Sequence, residues 1–163
     1  MADSDRVRPF LLHEQEGDAY WFLGSLATVK APSGITRGNW SLVEFLNPPG
    51  FATPLHRHGD EDEAFYILSG TAEFHCDGET LTGGPGDFLF LPVGLPHAYI
   101  VGPDEPLRLL TLTGAPSGFD KFVQQAGEPA RERRLPDPTP FDPAALGHAA
   151  AQHGIEILGP PPQ

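Results

Sequence analysis

The stretches GFATPLHRHGDEDEAFYILSG (residues 50–70) and GDFLFLPVGLPH (residues 86–97) decide how this chain folds. Each begins with glycine and carries short apolar runs of the kind that form β-strands. The side chains in them that can ligate a metal are His56, His58, Glu63 and His97. A small barrel could place all four on one spot, so we expect a mononuclear metal centre.

The spacing within the first stretch predicts two strands joined by a tight turn. His56 and His58 are two residues apart, so both imidazoles leave the same face of a strand. The acidic tip at residues 59–62 would reverse the chain, and Glu63 would open the returning strand on that same side. The second stretch has a similar design, with a reversal over residues 92–96 before its histidine. Packed across a barrel, the two hairpins would unite three imidazoles and one carboxylate.

This donor set suits one divalent transition metal ion per chain, whether Fe, Mn, Co, Ni, Cu or Zn. A lone histidine on an apolar strand is more often an ordinary packed or exposed residue. Coincidence explains this chain poorly, because nine positions agree at once. They are Gly50, His56, His58, Glu63, Gly70, Gly86, Pro92, Gly94 and His97.

Short strand-like runs separated by Gly, Pro or Asp predict an all-β sandwich or jelly roll with antiparallel pairing. The predicted strands cover residues 20–30, 39–46, 55–58, 63–68, 71–76, 88–91, 97–101 and 107–113. Later, Ser117 can cap a short helix that ends at Gly127, and residues 142–154 predict a second helix. The predicted organisation is an irregular lead-in (1–18), a barrel (19–114), a helical extension (115–158) and a frayed tail (159–163).

The composition narrows the classes of function. The 163 residues include 10 basic and 22 acidic ones, and the resulting net charge of −12 disfavours partners such as nucleic acid or anionic membranes. The sequence shows neither a signal peptide nor a run that could span a bilayer, and its single cysteine, Cys76, suits a reducing compartment. We therefore expect a cytoplasmic protein.

The two stretches fit the patterns G-x5-H-x-H-x4-E-x6-G and G-x5-P-x-G-x2-H. On these motifs the chain resembles the cupin superfamily over residues 40–113, and its short spacer is similar to that of compact single-domain cupins. The resemblance implies a jelly-roll barrel in which the three histidines and Glu63 are the metal ligands. The chain departs from many cupins at Val101, where they carry asparagine, and this weakens any analogy of substrate.

A finer resemblance, to bacterial single-cupin quercetinases, rests on PGDFLFLP (85–92), His97-Ala-Tyr and GFDKFVQQAGEPA (118–130). Those enzymes are flavonol 2,4-dioxygenases. The resemblance implies a metal-dependent dioxygenase that cleaves a flavonol-like or other enolisable aromatic substrate with O2. It also implies that Glu63 is catalytic, acting as ligand and as the base that accepts a proton from the substrate hydroxyl.

A flat, apolar substrate needs aromatic walls. The candidates are Phe65, Phe90 and Tyr99 on the inward parity of their strands, and Phe119 and Phe122 on the first tail helix. The alternative for each of them is ordinary filling of the core.

Other polar residues are expected at the surface. Residues 60–62 predict a solvated hairpin tip, from which one carboxylate could replace Glu63 as a ligand. His75 is expected on the outside of the barrel, and His148 and His153 on a solvated helix face.

Two other classes of function stay open. The same metal could polarise a carbonyl without O2, in an isomerase, cyclase or epimerase, and the consumption of O2 would separate this class from a dioxygenase. The barrel could also be a non-enzymatic protein that binds a small molecule or a metal.

Residues 20–30 predict a long apolar strand that would invite pairing at a sheet edge. We therefore expect a homodimer that exchanges N-terminal strands, although the second tail helix could equally cover that edge.

Overall fold

The computed structural model describes residues 7–163 and shows two antiparallel sheets whose inner faces share one apolar core. The strands are β1 (Asp18–Phe22), β2 (Ser25–Ala31), β3 (Trp40–Asn47), β4 (Leu55–His58), β5 (Glu63–Ser69), β6 (Ala72–Cys76), β7 (Glu79–Gly83), β8 (Phe88–Leu91), β9 (His97–Val101), β10 (Leu107–Gly114), β11 (Glu128–Pro129) and β12 (Ile155–Gly159). The helices are α1 (Phe119–Ala126) and α2 (Pro143–Ala151).

The seven-stranded sheet has the order β11-β1-β2-β3-β10-β5-β8, and the five-stranded sheet has the order β12-β4-β9-β6-β7. This architecture confirms the predicted all-β jelly roll with short C-terminal helices. None of the helices within residues 7–163 is long and apolar enough to cross a membrane.

The alternation of buried and exposed residues along the central strands explains why the sheets pack face to face. On β3 every second residue is buried, and on β10 the same pattern recurs with its own inward set. The inward residues of these two strands are Ser41, Val43, Phe45 and Asn47 on β3, and Leu107, Leu109, Thr111 and Thr113 on β10. A period of two places one face of each strand against the core, because successive side chains point to opposite faces.

The predicted strand at residues 20–30 is wrong in one respect, because it is a hairpin. Leu23 and Gly24, with φ of 53° and 84°, form a two-residue turn between β1 and β2. A leucine at a turn position hides that turn from the sequence pattern. The sequence pattern also misses β7, because residues 79–82 are all exposed and leave no buried face to detect.

The C-terminal region is less helical than predicted. The helix α2 begins as expected, with the Asp142 carboxylate accepting a hydrogen bond from the Ala144 N–H at 2.9 Å. Gly118, rather than the predicted Ser117, is the N-cap of α1, because the Ser117 hydroxyl hydrogen-bonds to Thr113 at 2.9 Å. The last strand, β12, pairs with β4 and so joins the five-stranded sheet.

The first strand, β1, begins at Asp18, which is the last residue of the predicted lead-in. Part of the predicted lead-in, residues 1–6, lies outside the described residues. At the other end, the predicted frayed tail begins at Gly159, which is still part of β12, and the Leu55 N–H donates to the Pro160 carbonyl at 3.4 Å.

Candidate metal centre

Four side chains converge at one place in the barrel. Strand β4 supplies His56 and His58, its neighbour β9 supplies His97, and β5 of the opposite sheet supplies Glu63. The direct pairing of His56 with His97 brings two imidazoles side by side. One ligand atom from each of the four residues lies within 4.8 Å of the others, so the cluster could hold a metal ion.

Two of the imidazoles are oriented by backbone carbonyls close to them in sequence. The Nδ1 atom of His56 lies 2.8 Å from the Pro54 carbonyl oxygen, and that of His97 lies 2.9 Å from the Leu95 carbonyl oxygen. Because a carbonyl oxygen only accepts, each Nδ1 carries the proton and each Nε2 keeps its lone pair. Both rings therefore present a metal-binding nitrogen.

The third imidazole is oriented by a buried carboxylate. The Nδ1 atom of His58 lies 3.0 Å from Glu61 Oε1, and the other carboxylate oxygen accepts a hydrogen bond from the Gly118 N–H at 3.0 Å. Glu61 is only 3% exposed. The expectation of a solvated acidic tip is therefore wrong for this residue, which supports His58 from behind in the way that outer carboxylates support ligating histidines.

The charges of the cluster suit a cation. Burial, together with the neighbouring His97, lowers the pKa of His56 to about 3, so this imidazole is neutral. Burial alone would raise the pKa of Glu63, but the surrounding imidazoles, His58 foremost, lower it to about 2, so the carboxylate is ionised. For His58, burial opposes protonation, yet Glu63 and Glu61 raise its pKa. Neutral imidazole and ionised carboxylate are the forms that ligate metals.

An orphaned nitrogen shows that the residues fit a metal. His58 Nε2 is buried and has no hydrogen-bond partner among residues 7–163, although buried polar atoms are nearly always paired. It lies 3.5 Å from Glu63 Oε2, and His97 Nε2 lies 2.8 Å from the same oxygen. The lone pairs of the three Nε2 atoms and the carboxylate would all be satisfied by one divalent cation held by His56, His58, Glu63 and His97.

A mostly apolar cavity adjoins the cluster. It is lined by Phe22, Leu23, Ser25, Phe45, Asn47, Phe51, Thr53, Pro54, His56, Glu63, Phe65, Tyr99, Thr111, Phe119, Phe122, Leu146, Ile155 and Ile157. The volume of the cavity is about 60 Å³, so it is narrow.

The structure places four of the five predicted wall residues in this cavity, namely Phe65, Tyr99, Phe119 and Phe122. The fifth, Phe90, lies on the outer surface and is 54% exposed. The register explains the error, because β8 pairs Leu91 with Glu63 and Phe90 with Ala64. Leu91 therefore shares the inward face with Glu63, and Phe90 points away from the core.

The helix α1 covers the metal-binding end of the cavity. Phe119 lies with its ring centre 5.6 Å from that of His58, and Phe122 packs edge-on against Phe22 at 5.3 Å. Both phenylalanines are buried. Two other histidines are placed as expected: His75 lies 2.8 Å from the exposed Glu73 carboxylate, and His148 is exposed on α2. The expectation of a solvated helix face is wrong for His153, which follows the end of α2 and has its Nε2 atom 2.6 Å from Gln125 Oε1.

Sequence reasoning missed the polar residues of the cavity. Asn47 is fully buried, although with the prolines that follow it the sequence predicts a turn there. The alternation of β3 could have revealed it, since Asn47 continues the inward series that includes Val43 and Phe45. Glu61 had a weaker signal, namely its position three residues after His58 in a tight reversal.

The fold and the cluster agree with a comparison against known families. Residues 43–113 match the cupin domain family. With their share of the two antiparallel sheets and of the cluster of three histidines and a glutamate, these residues form a cupin domain, and the chain is similar to a quercetinase over part of its length.

Two curated relatives show how far the sequence similarity extends. The chain is 37% identical over 91 residues to quercetin 2,3-dioxygenase of Bacillus subtilis, an overlap of 56% of this chain and 27% of that enzyme. The chain thus spans well under half of that relative's length. It is 27% identical over 113 residues to the uncharacterized protein MJ1618 of Methanocaldococcus jannaschii, covering 69% of this chain and 83% of that protein.

A solved structure gives a similar picture of the fold. The polyketide cyclase RemF from Streptomyces resistomycificus is 25% identical, with a TM-score of 0.57 over 66% of this chain and 80% of that one. The proteins similar to this chain therefore include one named as a dioxygenase and one named as a cyclase.

Proposed function

We propose that this cupin is a metal-dependent dioxygenase that cleaves a flavonol-like or other enolisable aromatic compound with O2. One observation carries the proposal: the metal-binding cluster opens directly into a narrow aromatic cavity, since His56 and Glu63 are themselves part of its lining. The partial similarity to quercetin 2,3-dioxygenase supports the class of substrate.

A bound divalent metal would supply Lewis-acid activation of a substrate oxygen and a place for O2 to react. Glu63 is ionised and faces the cavity, so its carboxylate can accept the proton of a substrate hydroxyl placed beside it. Burial, aided by the negative charge of Glu63, raises the pKa of Tyr99, which therefore stays protonated and can donate a hydrogen bond.

The aromatic walls would hold the ring system and exclude water. Phe65 and Tyr99 approach edge-on with ring centres 5.7 Å apart, and Phe119 is part of the same lining. Small-molecule sites commonly enclose roughly 300–1,000 Å³. The cavity of about 60 Å³ is well below that range, so a flavonol would enter only with rotation of side chains.

The direct test is reconstitution of apo-protein with Fe(II), Mn(II), Co(II), Ni(II), Cu(II) or Zn(II), followed by measurement of O2 uptake and of flavonol absorbance with quercetin. We expect at least one metal to couple O2 uptake to loss of the flavonol band. His56→Ala should abolish both through loss of metal. Glu63→Gln should retain part of the metal but lose turnover, and wild-type turnover in that variant would refute its role as a base.

A cyclase is the second candidate, because the similarity to RemF reaches 25% identity over most of both chains. In that case Glu63 would remove a proton from a carbonyl compound while O2 is left unconsumed. Tight metal binding without O2 uptake under any metal would favour the cyclase over the dioxygenase.

A further inference from the structure

The cavity has a second polar region, formed by Ser25, Asn47 and Tyr99. These residues are 1%, 0% and 6% exposed. The Ser25 hydroxyl donates to Asn47 Oδ1 at 2.8 Å, and the Tyr99 hydroxyl donates to the same oxygen at 3.3 Å. Two hydroxyl groups, one from β2 and one from β9 of the opposite sheet, therefore fix the plane of one buried amide.

The other half of this amide has nothing to bind. Within the described part of the chain, Asn47 Nδ2 has no hydrogen-bond partner, although it is a donor of two hydrogens. Buried amide groups nearly always have partners, and those that do not require an explanation. Asn47 is part of the cavity lining, so its free donor belongs to a residue that borders the space a ligand would occupy.

The register places this donor away from the metal-binding cluster. Strand β10 pairs Thr113 with Glu63 and Leu107 with Asn47. Glu63 and Asn47 therefore lie beside opposite ends of β10, on the two strands that flank it, yet both line the same cavity. The walls between them are largely apolar and aromatic.

We propose that Asn47 is a specificity residue, whose Nδ2 group donates a hydrogen bond to an acceptor oxygen of the ligand at the end remote from the metal. The ligand class is an aromatic compound with a carbonyl or hydroxyl oxygen at that end. In naming an aromatic ligand the proposal rests on the proposed function, but the donor itself rests on the structure. If Asn47 only braced Ser25 and Tyr99, its free N–H groups would not respond to a ligand.

The sequence makes this testable by NMR, because Asn39 and Asn47 are its two asparagines. Selective labelling with ¹⁵N-asparagine gives one pair of side-chain signals from each, and Asn39→Leu assigns them. Zinc-loaded protein kept free of O2 is titrated with acetophenone and with its carbonyl-free counterpart ethylbenzene. We expect acetophenone to move one Asn47 Nδ2 proton downfield, and ethylbenzene to leave it almost unchanged. The exposed Asn39 signals are the internal control.

Calorimetry on variants provides the second measurement. In wild-type protein the two probes differ in affinity, and we expect Asn47→Leu to shift their affinity ratio against acetophenone by about tenfold, the effect of one lost hydrogen bond. Asn39→Leu makes the same chemical change on the surface and should leave the ratio unaltered. If Asn47→Leu does not fold, the titration of wild-type protein still decides the matter.

The proposal is overturned if the Asn47 signals stay still up to the solubility limit of acetophenone, or if the affinity ratio is the same in folded Asn47→Leu. Quercetin separates this result from the proposed function. A response of Asn47 to acetophenone without any binding of quercetin leaves the donor site standing and refutes the flavonol substrate. If quercetin is turned over but the Asn47 signals do not respond to acetophenone, the donor site alone is refuted.

Discussion

Glu61 is the residue that links the metal-binding cluster to the rest of the fold. One of its carboxylate oxygens contacts His58, and the other accepts the N–H group at the start of α1. Since Phe119 of that helix packs on the same imidazole, the orientation of His58 and the position of α1 depend on each other. Glu61 is a positioning residue, acting through His58 and not on the substrate.

Substitution of Glu61 should therefore weaken metal binding. We expect Glu61→Gln to lower the affinity for Zn(II) by about 10- to 100-fold, because His58 loses a charged acceptor for its Nδ1 proton. Competition with a chromophoric chelator measures the affinity, and the visible spectrum of the Co(II)-loaded protein reports the ligand field.

The matched control is Glu73→Gln, which alters a carboxylate that also contacts a histidine, at 2.8 Å, but on the barrel surface. It should change neither readout. An unaltered affinity and Co(II) spectrum in Glu61→Gln, accompanied only by a lower melting temperature, would show that the residue has a structural role alone.

The sequence predicts the residues whose type and spacing indicate metal binding, but it does not predict the buried polar residues around them. The ligand set followed from spacing, because two residues on a strand share a face. The sequence does not predict that Glu61 and Asn47 are buried, because an acid in a loop and an asparagine before prolines are typical of the protein surface. The prediction that Phe90 lines the cavity is wrong, because the inward face of β8 depends on its register with β5, which the local sequence does not reveal.

Strand β12 supports β4, the strand that carries His56 and His58, by pairing with it. It pairs with β4 so that Ile155 lies opposite His58 and Ile157 opposite His56. Ile155 is 2% exposed and belongs to the core. On its other side β4 pairs with β9 through His56 and His97. The sequence did not predict β12, because its partner is distant in the chain and the pattern before it is helical.

Ile155→Ala should destabilise the protein by about 2–4 kcal/mol, through lost apolar contact and the cavity left behind. It should also weaken metal binding, since β4 loses support on one side. Denaturant unfolding and zinc titration measure the two effects. Leu158→Ala, on an exposed side chain of the same strand, should alter the free energy of unfolding by no more than about 0.5 kcal/mol. Equal effects of the two substitutions would contradict this role for β12.

Gly70, between β5 and β6, explains one of the glycines in the sequence motif. Its φ is +78°, and a Cβ atom there would lie 2.5 Å from the Pro106 oxygen and 2.8 Å from Leu107 Cα. These are backbone atoms at the start of β10, so they cannot move aside as a side chain would. The glycine lets this turn and β10 approach closely.

Gly70→Ala should therefore cost about 3 kcal/mol or more in the free energy of unfolding, as measured with denaturant. Gly50→Ala is the control, because Gly50 has a similar φ of +72° and, among the described residues, no atom lies within 4 Å of the place that its added methyl group would take. It should cost only the backbone strain of about 1–2 kcal/mol. A loss in Gly70→Ala no larger than in Gly50→Ala would show that close packing is unimportant.

The whole molecule carries an exposed apolar area on the outer face of its larger sheet. Phe88 lies opposite Tyr66, and Phe90 and Leu112 flank the small side chain of Ala64. The four large side chains are between 42% and 65% exposed. Together they present an area on the order of 400 Å², large enough to mark an interaction surface.

We propose that this face joins two copies of the chain into a homodimer in the cytoplasm. The original reason for expecting a dimer no longer holds, because residues 20–30 form a hairpin whose first strand is itself paired with β11. The second observation is the lead-in, where Phe10 and Leu11 are 57% and 77% exposed. An apolar arm and an apolar face on each copy would be complementary in a twofold arrangement.

Light scattering coupled to size exclusion should then give about twice the chain mass of 17.6 kDa. Phe88→Glu, which puts a charge at the most exposed side chain of the face, should yield monomer. Phe141→Glu changes another exposed phenylalanine, in the connector before α2, and should leave the dimer intact. Monomeric wild-type protein at micromolar concentration would refute the proposal.

The pairing of β12 with β4 also orders events during synthesis. As the chain leaves the ribosome, His56 and His58 emerge long before Ile155, and β4 stays an open edge that can mispair. The pocket wall formed by Ile155 and Ile157 is likewise absent at that stage. The centre can therefore mature only after β12 has left the ribosome, and loading with metal is expected to follow the synthesis of that strand.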